Sequence, residues 1–443
     1  MPSLPLVAHR PDAVVAWRGA TPVTAAQFAG EVAALAAALP PGRHVLNLCR
    51  DRYRFAVAFA ASIVSARVSL LPPTHTPEMV RQMHARASDC FCIVDHDADV
   101  GAMPVFRYPE LAAAPPAQVP EIDVTQVVAE VFTSGSTGTP LPHPKRWGPL
   151  VENVRAEAAR LGVGPGHALV GTVPPQHMYG LESTVLMPLQ SGAAFHAGHP
   201  FYPADVAAAL AELPRPRALV TTPYHLRALL AADEVLPAAD LLVSATAPLS
   251  ATVAAEAEAR FGAPLFEIYG CTETGQLASR RPALDAAWQT LGAVRLRRDG
   301  ESAWAEGGHV ERPTRLGDVV ELADEDGRRF LLHGRHADLV NIAGKRTSLA
   351  YLNHQLHAIP GVRDGAFVLP PDDAEANPER VRRLSALVVA PDLTPAALMQ
   401  ALRARIDPLF LPRPLVFVDA LPRNTTGKLA AAAAQALVAE AGA

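Results

Sequence analysis

The sequence has few cysteines, no histidine pair that we interpret as a metal site, and no apolar stretch long enough to cross a membrane. It contains 4 cysteines and 16 histidines among 443 residues. Cys90 and Cys92 are too close together for the usual zinc-ligand spacing, and no second pair follows them. The apolar run at residues 55–66 is shorter than the ~20 residues that a membrane helix needs. We therefore interpret it as a buried helix.

Charge and composition exclude two further classes of protein. The formal net charge is −5 and the sequence pI is near 6.3, without a basic cluster, which argues against a nucleic-acid-binding protein. Apolar residues make up 49% of the chain and charged residues 19%, so a large core is possible and global disorder is not expected. With few cysteines and no recognisable signal peptide, the sequence predicts a cytoplasmic protein in a reducing environment.

Short apolar strands alternate with helices along most of the chain. This alternation predicts an α/β fold with doubly wound sheets. Shorter β-like segments with Gly-Asp and Asp-Gly turns follow near residues 295–325, and a compact α+β pattern begins after Gly334. We therefore predict a large N-terminal domain at 1–336, partly β-rich, and a small mobile α+β domain at 337–443. Residues 104–120, with five prolines, are predicted to be a connector, and residues 181–189 a helix.

A polar loop follows the predicted strand at residues 127–132. It consists only of threonine, serine and glycine: Thr133, Ser134, Gly135, Ser136, Thr137 and Gly138. Glycine lets the backbone approach a ligand closely, and hydroxyls with consecutive backbone N–H groups can surround an anion. The Walker pattern is excluded because no Gly-Lys-Ser/Thr closes the loop. Taken alone, the loop is either a phosphate site or a flexible linker.

Three later stretches decide between these alternatives. They are Tyr-Gly-Cys-Thr-Glu-Thr-Gly beginning at Tyr269, Leu-Gly-Asp ending at Asp318 with a later Gly-Arg ending at Arg335, and Leu-Pro-Arg-Asn-Thr-Thr-Gly-Lys ending at Lys428. Together with the polar loop, and in this order, they resemble the motifs of the adenylate-forming enzymes. That superfamily includes acyl-CoA and aryl-CoA ligases, luciferase and adenylation domains.

The resemblance implies an ATP site with Mg²⁺. The polar loop would hold the β- and γ-phosphates, Tyr269 and Gly270 would contact adenine, and Thr246 and Ala247 would line the same pocket. Thr272 would bind the α-phosphate and Glu273 would hold Mg²⁺, while Asp318 and Arg335 would bind the ribose. The family's Pro-Lys after the loop is replaced by residues 140–145. Lys145 is therefore predicted to reach the phosphates from a displaced position, or else to be a surface lysine beside a proline-stiffened turn.

Lys428 is predicted to be catalytic, together with Thr272 and Glu273. A lysine delivered by a mobile domain can stabilise the negative charge that builds when a carboxylate attacks the α-phosphorus. The family's hinge residue corresponds to Ala337, which is neither Asp nor Lys here. A small residue still permits the torsion change that a hinge needs.

The acid-binding pocket is predicted from a His-Met-Tyr-Gly segment that resembles aryl-CoA ligases. Its candidate residues are His177, Tyr179, Thr222, Tyr224, Ser244, Ala245, Ile268 and Gly270. The predicted substrate is a small aromatic carboxylic acid such as a hydroxybenzoate.

The acceptor is predicted to be a pantetheine thiol, either of an acyl carrier protein or of CoA. The compact N-terminal region resembles ligases of aryl polyene and xanthomonadin pigment synthesis, which favours a carrier protein. Many CoA ligases have a lysine at the position of Asn341, and its absence here also favours a carrier protein as the acceptor. Activation of an amino acid or a fatty acid, and a non-catalytic nucleotide-binding scaffold, are alternatives that the sequence leaves open.

Overall fold

Two parallel-stranded sheets with helices packed against them form most of the molecule. The computed structural model describes residues 2–72, 74–111, 115, 117–133, 140–300, 302–335, 339–342, 345–369, 384–423 and 429–442. The predicted mixed α/β fold, with a large N-terminal part and a small C-terminal part, is confirmed.

The first sheet has six strands in the order β10-β9-β5-β4-β6-β7. Four neighbouring pairs are parallel and the edge pair of β9 and β10 is antiparallel. The strands are β4 (His44–Asn47), β5 (Val68–Leu71), β6 (Phe91–Val94), β7 (Val105–Arg107), β9 (Val127–Thr133) and β10 (Leu141–Arg146). A separate pair, β1 (Ser3–Pro5) and β8 (Glu121–Asp123), is antiparallel.

The second sheet has eleven strands in the order β21-β22-β17-β16-β15-β14-β13-β11-β12-β2-β3. Its parallel centre runs from β15 to β2, and antiparallel strands extend it on both sides. The strands are β2 (Val14–Arg18), β3 (Thr21–Thr24), β11 (Ala168–Gly171), β12 (Ala194–His196), β13 (Arg217–Thr221), β14 (Leu241–Ser244), β15 (Leu265–Cys271), β16 (Gly275–Arg280), β17 (Trp288–Thr290), β21 (Asp318–Leu322) and β22 (Arg329–Arg335).

The remaining sheets are small. One is an antiparallel meander of β18 (Arg295–Asp299), β19 (Ser302–Gly307) and β20 (Val310–Arg315), in the region predicted to be β-rich. A hairpin of β23 (Leu339–Ile342) and β24 (Lys345–Ser348) precedes a mixed sheet of β25 (Asp364–Val368), β26 (Ser385–Val389) and β27 (Leu415–Phe417).

Helices cover both faces of the large sheets, and several begin at side-chain caps. Thr24, Asp51 and Thr222 each accept a hydrogen bond from a backbone N–H of the first turn that would otherwise lack a partner. The helices are α1 (Ala25–Ala38), α2 (Arg52–Val64), α3 (Pro77–Arg86), α4 (Trp147–Leu161), α5 (Met178–Leu181), α6 (Met187–Ser191), α7 (Pro203–Glu212), α8 (Pro223–Ala231), α9 (Ala251–Phe261), α10 (Leu349–His357), α11 (Pro395–Arg403) and α12 (Ala431–Gly442). None of them, within the described ranges, has both the length and the apolar character of a membrane-crossing helix.

Two details of the predicted secondary structure were wrong. The connector at residues 104–120 contains a strand, β7, which adds to the edge of the first sheet. The helix predicted at 181–189 is longer and irregular, because a π-helical turn at Glu182–Leu186 joins α5 to α6. Neither a short edge strand nor a wider helical turn has a clear signature in local sequence periodicity.

The C-terminal part has hydrophobic clusters of its own. Leu352, Leu356, Phe367, Val388 and Leu398 are among the buried residues of a cluster formed only by side chains that follow residue 348. A second cluster packs α12 against β25 and β26. The domain boundary at 336/337 remains a prediction, since residues 336–338 lie outside the described ranges.

Candidate active site

The carboxyl ends of three neighbouring parallel strands bring several predicted residues together. Strands β13, β14 and β15 pair in parallel, so their carboxyl ends lie at the same edge of the sheet. Thr222 follows β13, Ser244 ends β14, and Tyr269 lies near the end of β15. This is the edge at which open α/β sheets bind ligands.

Tyr269 and Asp318 are in direct contact. The Tyr269 hydroxyl donates a hydrogen bond of 2.8 Å to Asp318 Oδ2, and its ring packs against Trp288 and Phe330 at centroid distances of 5.6 and 5.8 Å. Asp318 is also the strand partner of Arg335 across β21 and β22. The predicted adenine and ribose residues are thus neighbours, and their roles remain predictions.

The segment with Thr272 and Glu273 is the turn of the hairpin between β15 and β16. Cys271 pairs with Gly275, so residues 272–274 form the turn, and Gly275 has a φ of +78°. This is the geometry of a three-residue hairpin loop with glycine in the left-handed region. Gly270 also requires glycine, because a Cβ there would lie 2.3 Å from the carbonyl oxygen of Gly275. Glu273 remains 44% exposed at the tip.

The polar loop connects β9 to β10, and its position corrects one expectation. Leu141, Pro142 and Pro144 lie on an edge strand rather than in a proline-stiffened turn. An edge strand tolerates proline because the missing N–H can face away from the sheet. Ser134, Gly135, Ser136, Thr137 and Gly138 lie outside the described residues.

His143 connects this hairpin to the Glu273 turn. Its Nε2 forms a hydrogen bond of 3.0 Å with Thr133 Oγ1 and lies 4.0 Å from Glu273 Oε1. Burial lowers the pKa of His143, and Lys145 and Arg312 lower it further, while Glu273 opposes them. His143 was not identified from the sequence, where it was only one residue of a proline-rich stretch.

Lys145 is buried, with 9% of its surface exposed, so it is not a surface lysine. Its Nζ donates to the carbonyl oxygen of Thr272 at 2.5 Å and lies 3.5 Å from that of Glu273. Burial lowers the pKa of Lys145, and the charges of Glu182, Glu273 and Glu311 counteract this effect. Its predicted contact with the ATP phosphates remains a prediction.

The predicted acid-binding residues surround the ends of β13 and β14. Tyr179 donates to the carbonyl oxygens of Thr221 and Val243, at 3.1 and 3.3 Å. The Ser244 hydroxyl oxygen is fully buried and has no hydrogen-bond partner within the described part of the chain. His177 immediately precedes α5, while Ala245 and Ile268 are buried close to these strand ends.

Thr222, Tyr224 and Thr246 line a cleft of about 120 Å³ that also includes Asn353 and Arg423 from the C-terminal part. Thr246 has a φ of +83°, which is unusual for a β-branched residue. Such strain is frequently found at functional sites. Ala247 follows Thr246 and lines the same cleft.

A buried polar network beneath the Glu273 turn was missed by sequence reasoning. Glu182, on the π-helical turn, accepts a hydrogen bond of 2.8 Å from Asn153. Glu157 accepts one of 2.7 Å from Ser183, which in turn accepts one of 2.7 Å from Gln276. Burial raises the pKa of Glu157 to about 7 and that of Glu182 to about 8. These residues are far apart in sequence, so only the fold brings them together.

An ion pair holds the start of the segment that contains the predicted catalytic lysine. Arg423 donates to both oxygens of Asp364, at 2.7 and 2.8 Å, and His357 lies 3.5 Å from the same carboxylate. Asp364 begins β25. Lys428 itself lies outside the described residues, as does Ala337.

A magnesium ion fits this site only as part of a nucleotide complex. Among the described residues, no group of three or more His, Cys, Asp or Glu side chains could hold a metal ion by itself. Mg²⁺ commonly takes one or two carboxylates and completes its coordination with phosphates and water. The exposed carboxylate of Glu273 suits that arrangement.

Comparison with known proteins agrees with this arrangement. A family model described as AMP-binding enzyme matches residues 6–352. A 4-coumarate–CoA ligase of Rhodobacter capsulatus is 32% identical over 302 residues, covering 67% of this chain and 73% of the relative. A 3-hydroxybenzoate–CoA/4-hydroxybenzoate–CoA ligase of Thauera aromatica is 26% identical over 349 residues, covering 68% and 64%.

Among solved structures, ATP-bound MatB from Rhodopseudomonas palustris matches with a TM-score of 0.78. The match covers 95% of this chain and 94% of MatB at 21% sequence identity. At this identity the likeness establishes the fold.

Proposed function

The chain belongs to the AMP-binding enzyme family and is an AMP-forming acid–thiol ligase, and we propose that its acid is a small aromatic carboxylate. ATP supplies the AMP group, and a pantetheine thiol accepts the acyl group. The proposed acceptor is coenzyme A.

The main support for the proposal is the contact between two hairpins, β9–β10 and β15–β16. Thr133, at the base of the polar loop, is linked through His143 to the Glu273 turn. Tyr269, on the strand that leads into that turn, is bonded to Asp318. The described residues proposed to bind phosphate, adenine and ribose, which are Thr133, Glu273, Tyr269 and Asp318, therefore belong to neighbouring elements, and this supports a single nucleotide site.

In the first proposed step, a carboxylate oxygen of the acid attacks the α-phosphorus of ATP. A new P–O bond forms, the bond to the bridging oxygen breaks, and pyrophosphate leaves. Thr272 donates to the α-phosphate and Lys428 neutralises the developing charge without transferring a proton. Bound Mg²⁺ would be held by Glu273 and would supply further positive charge to the phosphates.

In the second proposed step, a thiol attacks the carbonyl carbon of the acyl-adenylate. The thiol loses its proton, a C–S bond forms, and AMP leaves as the C–O bond breaks. Rotation of the C-terminal part about Ala337 removes Lys428 and admits the thiol. Both half-reactions then use the same acid pocket.

The aromatic character of the acid is supported by the relatives and by the pocket. The two curated relatives described above act, by their names, on 4-coumarate and on hydroxybenzoates. The Tyr179 hydroxyl donates to the ends of β13 and β14, and Ser244, whose hydroxyl has no partner among the described residues, directly follows one of its acceptors, Val243. A planar ring beside Tyr179 gains aromatic contact area.

A carrier protein is the second candidate acceptor. Asn341 replaces a lysine that many CoA ligases have near the pantetheine entrance, and CoA's phosphates would lose one cation. The narrower resemblance to aryl polyene and xanthomonadin ligases points to the same acceptor. Both acceptors present the same thiol, so the chemistry above is unchanged.

The test is acid-dependent pyrophosphate release over a panel of benzoates, cinnamates, fatty acids and amino acids. We expect hydroxybenzoates or hydroxycinnamates to give the highest kcat/KM. Thioester formation is then measured in parallel with CoA and with a holo-acyl carrier protein. Pyrophosphate release with only fatty acids or amino acids would contradict the aromatic assignment, and none with any acid would favour a nucleotide-binding scaffold.

A further inference from the structure

Lysine is rare in this chain, and one of its few positions is buried. The only lysines are Lys145, Lys345 and Lys428, although Lys and Arg together number 39. Lys428 belongs to the last of the sequence motifs described above, whereas Lys145 ends the stretch that replaces the family's Pro-Lys. Lys145 faces inward from β10, between the exposed residues Pro144 and Arg146, and its strand partner is the small Ala129.

The position of Lys145 along β10 takes it away from the polar loop. Leu141 pairs with Thr133 beside the loop, whereas Lys145 pairs with Ala129. Those four residues correspond to about 13 Å along a strand at ~3.3 Å per residue. The ammonium group instead meets the neighbouring hairpin of β15 and β16.

At the β15–β16 hairpin, the ammonium group of Lys145 lies next to backbone carbonyl oxygens. Lys145 Nζ donates to the Thr272 carbonyl at 2.5 Å and lies 3.5 Å from the Glu273 carbonyl. Both carbonyls belong to the turn at residues 272–274. An ammonium group offers three donors, so one lysine can interact with both carbonyls.

Burial lowers the pKa of Lys145, and two acidic side chains, Glu182 and Glu311, act in the opposite direction. Glu182, only 2% exposed, lies on the π-helical turn, and Glu311 lies on β20. The ammonium is therefore held between the protein interior and the backbone of the turn.

We propose that Lys145 is a positioning residue that fixes the backbone of Thr272 and Glu273, so that their side chains point at the α-phosphate and its metal. This inference rests on the proposed function. It replaces the direct phosphate contact expected from the sequence. The predicted signature is a defect in binding the α-phosphate, which is present in AMP as well as in ATP.

The decisive variant is Lys145→Met, which keeps the length of the side chain and removes the charge. Affinity for AMP alone, measured by calorimetry without Mg²⁺, should fall by about tenfold or more, equivalent to ~1.4 kcal/mol. The KM for the acid should stay within about twofold of wild type, because the pocket beside Tyr179 is untouched. Arg81→Met, which removes an exposed cation whose ion-pair partner Glu78 lies on the same helix, α3, is the control and should retain AMP affinity.

Two results would overturn the proposal. Wild-type AMP affinity with weakened ATP binding would assign Lys145 to the β- and γ-phosphates, and wild-type affinity for both would leave it without a positioning role. Thermal unfolding establishes whether Lys145→Met is folded. If it is not, Lys145→Gln decides in its place, because its side chain is polar but shorter and uncharged, and so does not reproduce the ammonium contact with the turn: reduced AMP affinity supports the proposal, and unchanged AMP affinity overturns it.

A different measurement tells failure of the proposed function apart from failure of the role proposed for Lys145. It would show as wild-type protein that releases no pyrophosphate with any acid, whatever the AMP titration of Lys145→Met gives.

Discussion

Lys428 is the residue whose proposed role separates the two half-reactions. Lys428→Ala should reduce acid-dependent pyrophosphate release to background, because it removes the cation proposed to neutralise the charge on the bridging oxygens. Thioester formation from a preformed acyl-adenylate should be retained within about threefold, because this step does not need the lysine in the site. Thioester formation thus serves as the internal control. Equal loss of pyrophosphate release and of thioester formation would contradict the role assigned to Lys428.

Glu157 is a buried acid whose ionisation should make stability depend on pH. Burial raises the pKa of Glu157 from 4.5 to about 7, and its bonds from Ser183 and Gln276 only partly oppose this. The carboxyl group ionises at lower pH in the unfolded chain than in the folded one, so the wild type should lose stability as pH rises from about 4.5 through about 7.

The matching variant is Glu157→Gln, which cannot ionise. It should unfold like the wild type near pH 4.5 and exceed it by up to ~3 kcal/mol above pH 7, measured by denaturant unfolding at each pH. Glu152→Gln, on the exposed face of the same helix, should show no such difference. A constant offset between Glu157→Gln and wild type at all pH values would exclude this explanation.

At the scale of elements, the Asp364–Arg423 pair connects β25 to the segment that leads to Lys428. Burial alone would raise the pKa of Asp364, but hydrogen bonds from His357 and Arg423 lower it well below its usual range. The stabilisation is therefore present above about pH 4, the ordinary range of an aspartate, and is lost as pH falls below it.

Asp364→Asn should destabilise the C-terminal part by about 3–5 kcal/mol at neutral pH, because it leaves Arg423 buried without its counter-ion. It should also slow the Lys428-dependent half-reaction. Asp392→Asn is the matched control, since Asp392 and Arg363 form an exposed pair worth at most ~1 kcal/mol. Equal unfolding midpoints for the two variants would show that the pair does not anchor this segment.

Elements with strong periodicity were predictable, and irregular ones were not. Helices α7 and α8 and strand β14 have the bounds expected from their apolar pattern and from the proline at the start of each helix. Strand β10 was missed because its prolines indicate a turn in the local sequence. Pairing with β9 determines its conformation, and no local signal reports that pairing.

At the scale of the whole molecule, the C-terminal part has its own hydrophobic clusters and contributes one wall of the cleft. Ala337→Pro should restrict the hinge, because proline fixes φ near −65°. We expect pyrophosphate release to change by less than about threefold and thioester formation to fall by at least about tenfold, measured as separate single turnovers. Ala337→Gly, which keeps torsional freedom, should leave both rates near wild type. Equal slowing of both steps by proline would contradict a hinge at this residue.

The proposed nucleotide site rests largely on the sequence, because its parts are short motifs in which neighbouring residues would share one task. Tyr269, Thr272 and Glu273 are of this kind, and so is the order of the four motifs. The location of the site at the carboxyl ends of β13, β14 and β15 follows from their parallel pairing.

Only the tertiary structure decided where Lys145 points, that His143 connects two hairpins, and that Glu157 and Glu182 lie beneath the Glu273 turn. These contacts join residues from separate elements, and their energies depend on burial. Burial is a property of the folded chain, so no local pattern of residues could report it.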